Sequence, residues 1–233
     1  MEKQNLVLVP GLLCDAAMWE HQSRYLSGAA DIKIADVAHS ETMIGMAEAV
    51  LTMAPEKFAL AGLSMGGYVS LEIMRRAPER VTKLALLDTS ARLDTELQTR
   101  MRHHFIQLTR EGRFEEVIST VLALIVHPDR GQDKQLCNNI KEMNRRVGPE
   151  IFLRQQAAII GRQDSRNDLL RIKCPNLILC GRQDALTPLE VHEEMSSRIP
   201  KVRLAIIEDC GHMSTMERPQ AVTALLRDWL LYS

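Results

Sequence analysis

An apolar run at residues 58–61 stops at Gly62-Leu63-Ser64-Met65-Gly66-Gly67, and apolar residues at helical spacing follow over 68–76. A strand that turns at once into a helix forces the residue at the turn into a strained backbone conformation. Side chains two positions to either side would collide there, so Gly62 and Gly66 leave the room. The geometry pushes Ser64 out at the end of a strand, beside a helix N-terminus. The backbone N–H of Met65 points into the same space, where it can hold a developing oxyanion. Such a turn belongs to a strand–helix architecture in which the helix packs back onto the sheet.

The rest of the chain agrees with that architecture. Short apolar runs at 6–9, 32–37, 84–87, 176–180 and 203–207 read as further strands, the first stopped by Pro10-Gly11. Helical patterns fall at 43–53, at 68–76 before Pro78, and at 221–231. The alternation predicts an α/β fold with a mostly parallel central sheet of about six strands, flanked by helices. Between residues 92 and 167 no strand pattern is visible. Helices are expected at 97–109, 114–126, 133–146 and 150–160, punctuated by Gly112, His127-Pro128 and Gly148-Pro149. Residues 1–91 and 168–233 are thus expected to form the core, and 92–167 an inserted helical cap. Ligands of open parallel sheets bind beyond the carboxyl ends of the strands, so the insertion is expected over that end.

Composition narrows the function classes. The 29 basic and 30 acidic side chains leave a formal net charge of -1, which offers nucleic acid and anionic membranes no general attraction. Arg75-Arg76 and Arg145-Arg146 read as solvated helix faces. No apolar stretch reaches the length of a membrane span, and the N-terminus lacks the pattern of a signal peptide. Five cysteines, an odd number with no C-x-x-C pair, argue against a disulfide framework or a zinc site and for the cytoplasm. His192-Glu193 does not complete H-E-x-x-H. No metal and no cofactor is expected.

A serine hydroxyl needs a base to take its proton. His212, in Asp209-Cys210-Gly211-His212-Met213, follows the last strand and precedes the last helix, on the same edge of the sheet as Ser64. His103, His104 and His192 lie inside helical patterns and read as solvated. His21, His39 and His127 lie near element ends and are not favoured for the pocket. The base in turn needs an acid to fix its tautomer. Asp184 follows the strand immediately before the one that delivers His212. Asp88 also ends an apolar run, so it competes; Asp184 is preferred because its loop is the neighbour of the histidine loop. The order Ser64, Asp184, His212 matches the chain order of one known triad arrangement. Asp209 reads as a loop residue. The loop Pro10-Gly11-Leu12-Leu13-Cys14 leaves the first strand at its carboxyl end, and Leu12 is the choice for a second oxyanion N–H. Cys14 reads as a small packed residue, because no base is placed for it.

Gly62-Leu63-Ser64-Met65-Gly66-Gly67, Ile172-Lys173-Cys174-Pro175 leading to Gly181-Arg182-Gln183-Asp184, and Gly211-His212 with Glu217-Arg218-Pro219 together resemble the α/β-hydrolase superfamily over essentially the whole chain. The likeness is strongest to small bacterial carboxylesterases and the enol-lactonases of the β-ketoadipate pathway. The resemblance implies a triad of Ser64, Asp184 and His212, oxyanion N–H groups from Leu12 and Met65, and a helical cap. Many members carry His-Gly where this chain has Pro10-Gly11, and many begin with a hairpin that it lacks. Members with an aspartate nucleophile are epoxide hydrolases or dehalogenases, which Ser64 argues against. The expected function is cleavage of a small-molecule carboxylic ester through an acyl-enzyme. A lactonase, thioesterase or carbon–carbon bond hydrolase would use the same triad, and a ligand-binding module with little turnover is the alternative outside catalysis. Oligomeric state is not legible.

Overall fold

The computed structural model describes residues 3–232. Six strands, β1 (Gln4–Val9), β2 (Ala30–Ile34), β3 (Phe58–Leu63), β4 (Val81–Leu87), β5 (Asn176–Gly181) and β6 (Val202–Ile207), form one sheet in the order β2-β1-β3-β4-β5-β6. Every neighbouring pair is parallel. All residues of β3 and β5 are buried. Strands covered on both faces cannot alternate polar and apolar, which is why they read as unbroken apolar runs.

Helices cover both faces. Leu6 and Leu8 pack with α1 (Glu20–Leu26) and with α9 (Pro219–Tyr232), the last helix of the chain, through Trp19, Leu26, Leu226 and Trp229. Val7, Val9 and Leu60 pack on the other face with α2 (Met43–Met53), α3 (Met65–Arg76) and α7 (Leu189–Arg198). Between β4 and β5 lie α4 (Glu96–Arg110), α5 (Phe114–Ile125) and α6 (Lys134–Ile160), with no strand among the described residues. Gly148 interrupts α6 with φ 80° and ψ 171°, and Pro149 restarts the helix after it, as the Gly-Pro pair predicts. A short helix, α8 (Ser214–Glu217), precedes α9.

Some local expectations shift. The second strand occupies Ala30–Ile34 and not 32–37, because its pairing with β1 ends at Ile34 opposite Leu8. The last helix starts earlier, at Pro219. His192 is fully buried on α7, not solvated. Its face of α7 packs toward the sheet with Val191 and Met195, and its Nε2 accepts the Thr89 N–H at 3.0 Å. Burial pushes its pKa down to about 4, so the ring is a neutral acceptor. His103 and His104 are exposed, as read. The arginine pairs are matched by acids: Arg75 by Asp168, Arg76 by Glu48, Arg145 by Glu115 and Arg146 by Asp15.

Candidate active site

The turn from β3 into α3 is as tight as its glycines predict. A Cβ on Gly62 would overlap the Gly66 carbonyl, and one on Gly66 would overlap the Val9 carbonyl of β1. Ser64 takes φ 55° and ψ −116°, outside the regions an L-residue favours. The turn is held by Ser64 N–H donating to Leu87 O at 2.9 Å and by the Thr89 hydroxyl donating to Ser64 O at 2.8 Å. Strain at Ser64 is thus held by hydrogen bonds to the chain at and just beyond the end of β4.

The loops after β5 and β6 bring Asp184 and His212 to Ser64. His212 Nε2 lies 2.8 Å from Ser64 Oγ, and His212 Nδ1 lies 2.7 Å from Asp184 Oδ2. An ionised carboxylate only accepts, so Nδ1 carries the proton and Nε2 faces the serine hydroxyl as acceptor. Asp184 also accepts from the Leu186 and Thr187 N–H groups and the Thr187 hydroxyl. Burial alone would push the Asp184 carboxyl up; the charge and hydrogen bond of His212 and the bonds from Thr187 outweigh it and hold the group below the usual range. For His212 burial acts downward, and the Asp184 charge and hydrogen bond outweigh it, so its pKa is raised.

Asp88 does not touch His212 by hydrogen bond. Its Oδ1 accepts the Gly181 N–H at 3.0 Å and its Oδ2 meets the Ser214 hydroxyl. It braces the two loops from beneath. Cys14 is buried, and burial pushes its thiol up to about 12, so it is a packed thiol and not a nucleophile.

The loop after β1 runs past the serine. Neither the Leu12 N–H nor the Met65 N–H has a protein acceptor among the described residues, whereas Leu13 and Cys14 N–H groups are both bonded. Leu13 has φ 59°, and α6 pins it from above: its N–H donates to Gln155 Oε1 at 3.0 Å and its carbonyl accepts from Asn144 Nδ2 at 2.9 Å. Both side chains are buried. Sequence reasoning missed Gln155 and Asn144, since a polar residue in a helix more than a hundred positions away carries no local sign of its partner.

A cavity of about 220 Å³ opens at this point, lined by Ser64, His212 and Leu12 at the sheet edge and by Val121, Leu124 and Ile125 of α5. No group of three or more His, Cys, Asp or Glu that could hold a metal occurs among the described residues.

Comparison with known proteins identifies the fold and family. Residues 43–219 match the family described as the alpha/beta hydrolase fold. A pimeloyl-acyl-carrier-protein methyl ester esterase of Vibrio parahaemolyticus serotype O3:K6 is 26% identical over 97% of this chain and 93% of its own length. A solved thermophilic esterase from Thermogutta terrifontis superposes with a TM-score of 0.88 at 28% identity, over 97% of this chain and 89% of that one. The fold is also that of the enol-lactonase from Burkholderia xenovorans LB400, with a TM-score of 0.90 at 23% identity, over 99% of this chain and 92% of that one. The chain belongs to the α/β-hydrolase fold family.

Proposed function

We propose that this ester-cleaving hydrolase works through Ser64 as nucleophile, His212 as general base and acid, and Asp184 as the group that holds the imidazole. The observation that carries the reading is the unbroken pair of contacts from Asp184 through His212 to Ser64 Oγ. Ser64 Oγ attacks the ester carbonyl as its proton passes to His212 Nε2. The Leu12 and Met65 N–H groups receive the oxyanion. The imidazolium, stabilised by Asp184, then protonates the departing alcohol, leaving an acyl-serine. Water repeats the cycle: it attacks the acyl carbon as His212 takes its proton, and the imidazolium returns that proton to Ser64 Oγ as the serine C–O bond breaks and the acid is released.

Residues 92–167 act in this reading as the cap, supplying one wall of the cavity, and the substrate is a small-molecule ester. No helix among the described residues is long and apolar enough to cross a membrane. Five unpaired cysteines suit a reducing compartment, and the cytoplasm is the proposed location.

The test is a turnover screen of the parent and Ser64→Ala on short acyl esters, lactones and acyl thioesters. Multiple turnover of esters by the parent, with a loss of several orders of magnitude in folded Ser64→Ala, is expected. Ser64→Ala within about tenfold of the parent is incompatible with its role. A parent that turns over lactones or thioesters and spares esters moves the scissile bond but keeps the triad. A parent that binds esters without turnover is a receptor.

A further inference from the structure

One part of the cavity lining is charged, and ester cleavage as described does not use it. Arg102, on α4, and Arg162, just past the end of α6, share one carboxylate. Arg102 Nε donates to Asp94 Oδ2, and Arg162 Nη2 donates to Asp94 Oδ1 at 2.8 Å. The three side chains are 16%, 6% and 7% exposed in the order Arg102, Arg162, Asp94, yet all three line the cavity that holds Ser64 and His212. Arginine stays protonated at any working pH. Burial pushes the Asp94 carboxyl up, but the hydrogen bonds from Arg162 and Arg102 outweigh it and keep the group ionised. Two guanidinium ions against one carboxylate leave a net positive charge largely shielded from bulk water.

Neighbouring charges do not cancel it. Arg92 and Arg198 are matched by Glu190 and Glu194. The uncharged groups are rich in donors. Gln156 Oε1 accepts from Arg102 Nη1 at 3.0 Å, and Gln98 Oε1 accepts the Thr95 N–H at 2.8 Å. Both partners can only donate, so each amide must turn its oxygen to them. The two Nε2 groups, and Arg162 Nε, have no protein acceptor among the described residues. The cluster also lies close to the nucleophile. Arg162 Cζ sits 4.3 Å from the Tyr68 ring centroid, and Tyr68 N–H donates to Ser64 O at 3.3 Å. It thus begins one aromatic side chain away from the helical turn that starts at Ser64.

We propose that Arg102, Arg162 and the amides of Gln98 and Gln156 form a carboxylate subsite, and that the preferred substrate is an ester carrying its own ionised carboxylate, such as a half-ester of a dicarboxylic acid. The proposal rests on the reading of the Ser64 site as ester-cleaving. A carboxylate is an acceptor of fixed planar shape, suited to guanidinium donors. It would fill donors that a neutral acyl chain leaves unpaired, and sites of that kind reject the analogue lacking the group.

The test compares kcat/KM for the monomethyl esters of succinic, adipic and suberic acids with that for methyl esters of monocarboxylic acids of equal length. At least one half-ester is expected to exceed its neutral counterpart by about tenfold or more. That ratio should fall toward unity in Arg102→Gln and rise in Asp94→Asn, which adds net positive charge. Both substrates see the same protein, so a shared loss of folded enzyme cancels in the ratio. A ratio near unity in the parent, or one that moves the same way in both variants, overturns the proposal and leaves the cluster as a brace. Binding is read without turnover by calorimetric titration of monomethyl adipate into Ser64→Ala, with and without Arg102→Gln. Weaker binding with Arg102→Gln is expected, and equal binding overturns the subsite. If the parent turns over no ester at all, the reading of Ser64 falls, while the calorimetric comparison still decides the subsite.

Discussion

Asp88 and Asp184 follow neighbouring strands, and their surroundings push their carboxyls in opposite directions. Asp184 is held ionised by the protonated ring nitrogen it accepts from and by Thr187. Asp88 is buried beside that charge; burial first, then repulsion from Asp184, push its carboxyl well above the usual range. Only an ionised acid stabilises an imidazolium. Asp184→Asn should therefore lower kcat by an amount on the order of 10⁴-fold with the fold intact, through the wrong tautomer of His212. Asp88→Asn should change the rate little, and parallel kinetics on one ester settle the order. The pH profile gives a second readout. The proposed mechanism needs neutral His212, and Asp184 raises its pKa, so kcat/KM should fall with decreasing pH at a higher value than for an unperturbed histidine. Asp184→Asn should move that limb to lower pH. For stability the sign runs the other way from an ion-paired acid. A raised Asp88 pKa means the folded chain holds the proton more tightly, so its contribution is fully present at low pH and is lost as pH rises through the folded value. Asp88→Asn should remove that pH dependence, and thermal melts at neutral and acid pH measure it.

At the scale of elements, the β1 loop is positioned by α6. Gln155 and Asn144 hold the Leu13 peptide on both sides, next to the Leu12 N–H. Gln155→Leu should lower kcat by about tenfold to a hundredfold with a smaller effect on KM, because a small misplacement of a donor weakens the transition state more than the ground state. A change confined to KM would place the effect in substrate binding instead. The elements themselves were readable where a short-range pattern dictates them. The strand–turn–helix around Ser64 follows from glycine contacts, and the α6 break follows from Gly148-Pro149. The helix α1 was not read, since its seven residues give fewer than two full periods and only Gln22 and Leu26 are buried.

Across the whole molecule, one buried carboxylate ties the end of α5 to the histidine loop. Glu217, on α8, accepts N–H groups from His127, Gly211 and Met213, while Ile125 O at the end of α5 accepts the His212 N–H at 2.8 Å. Glu217→Ala strands three buried donors, each worth about 1–3 kcal/mol. A fall in Tm on the order of 10 °C is expected, and calorimetry of the variant checks it. An unchanged Tm would mean that water replaces the carboxylate.

The sequence by itself determined the parallel α/β layering, the helical character of 92–167, and the three residues that the structure brings into hydrogen-bond reach at the sheet edge. Those features depend on glycine sterics, on apolar period, and on the rule that successive strand ends of a parallel sheet share one edge. Tertiary structure alone decided that His192 is a buried acceptor for Thr89, that Asp88 braces loops, that Gln155 and Asn144 grip Leu13, and that Arg102 and Arg162 meet over Asp94. Of these, only the Arg102–Asp94 contact joins residues near one another in the chain; every other one reaches a segment at least 68 positions away. A hydrogen bond between distant segments depends on the relative placement of whole elements to within about 0.5 Å, which no local pattern encodes.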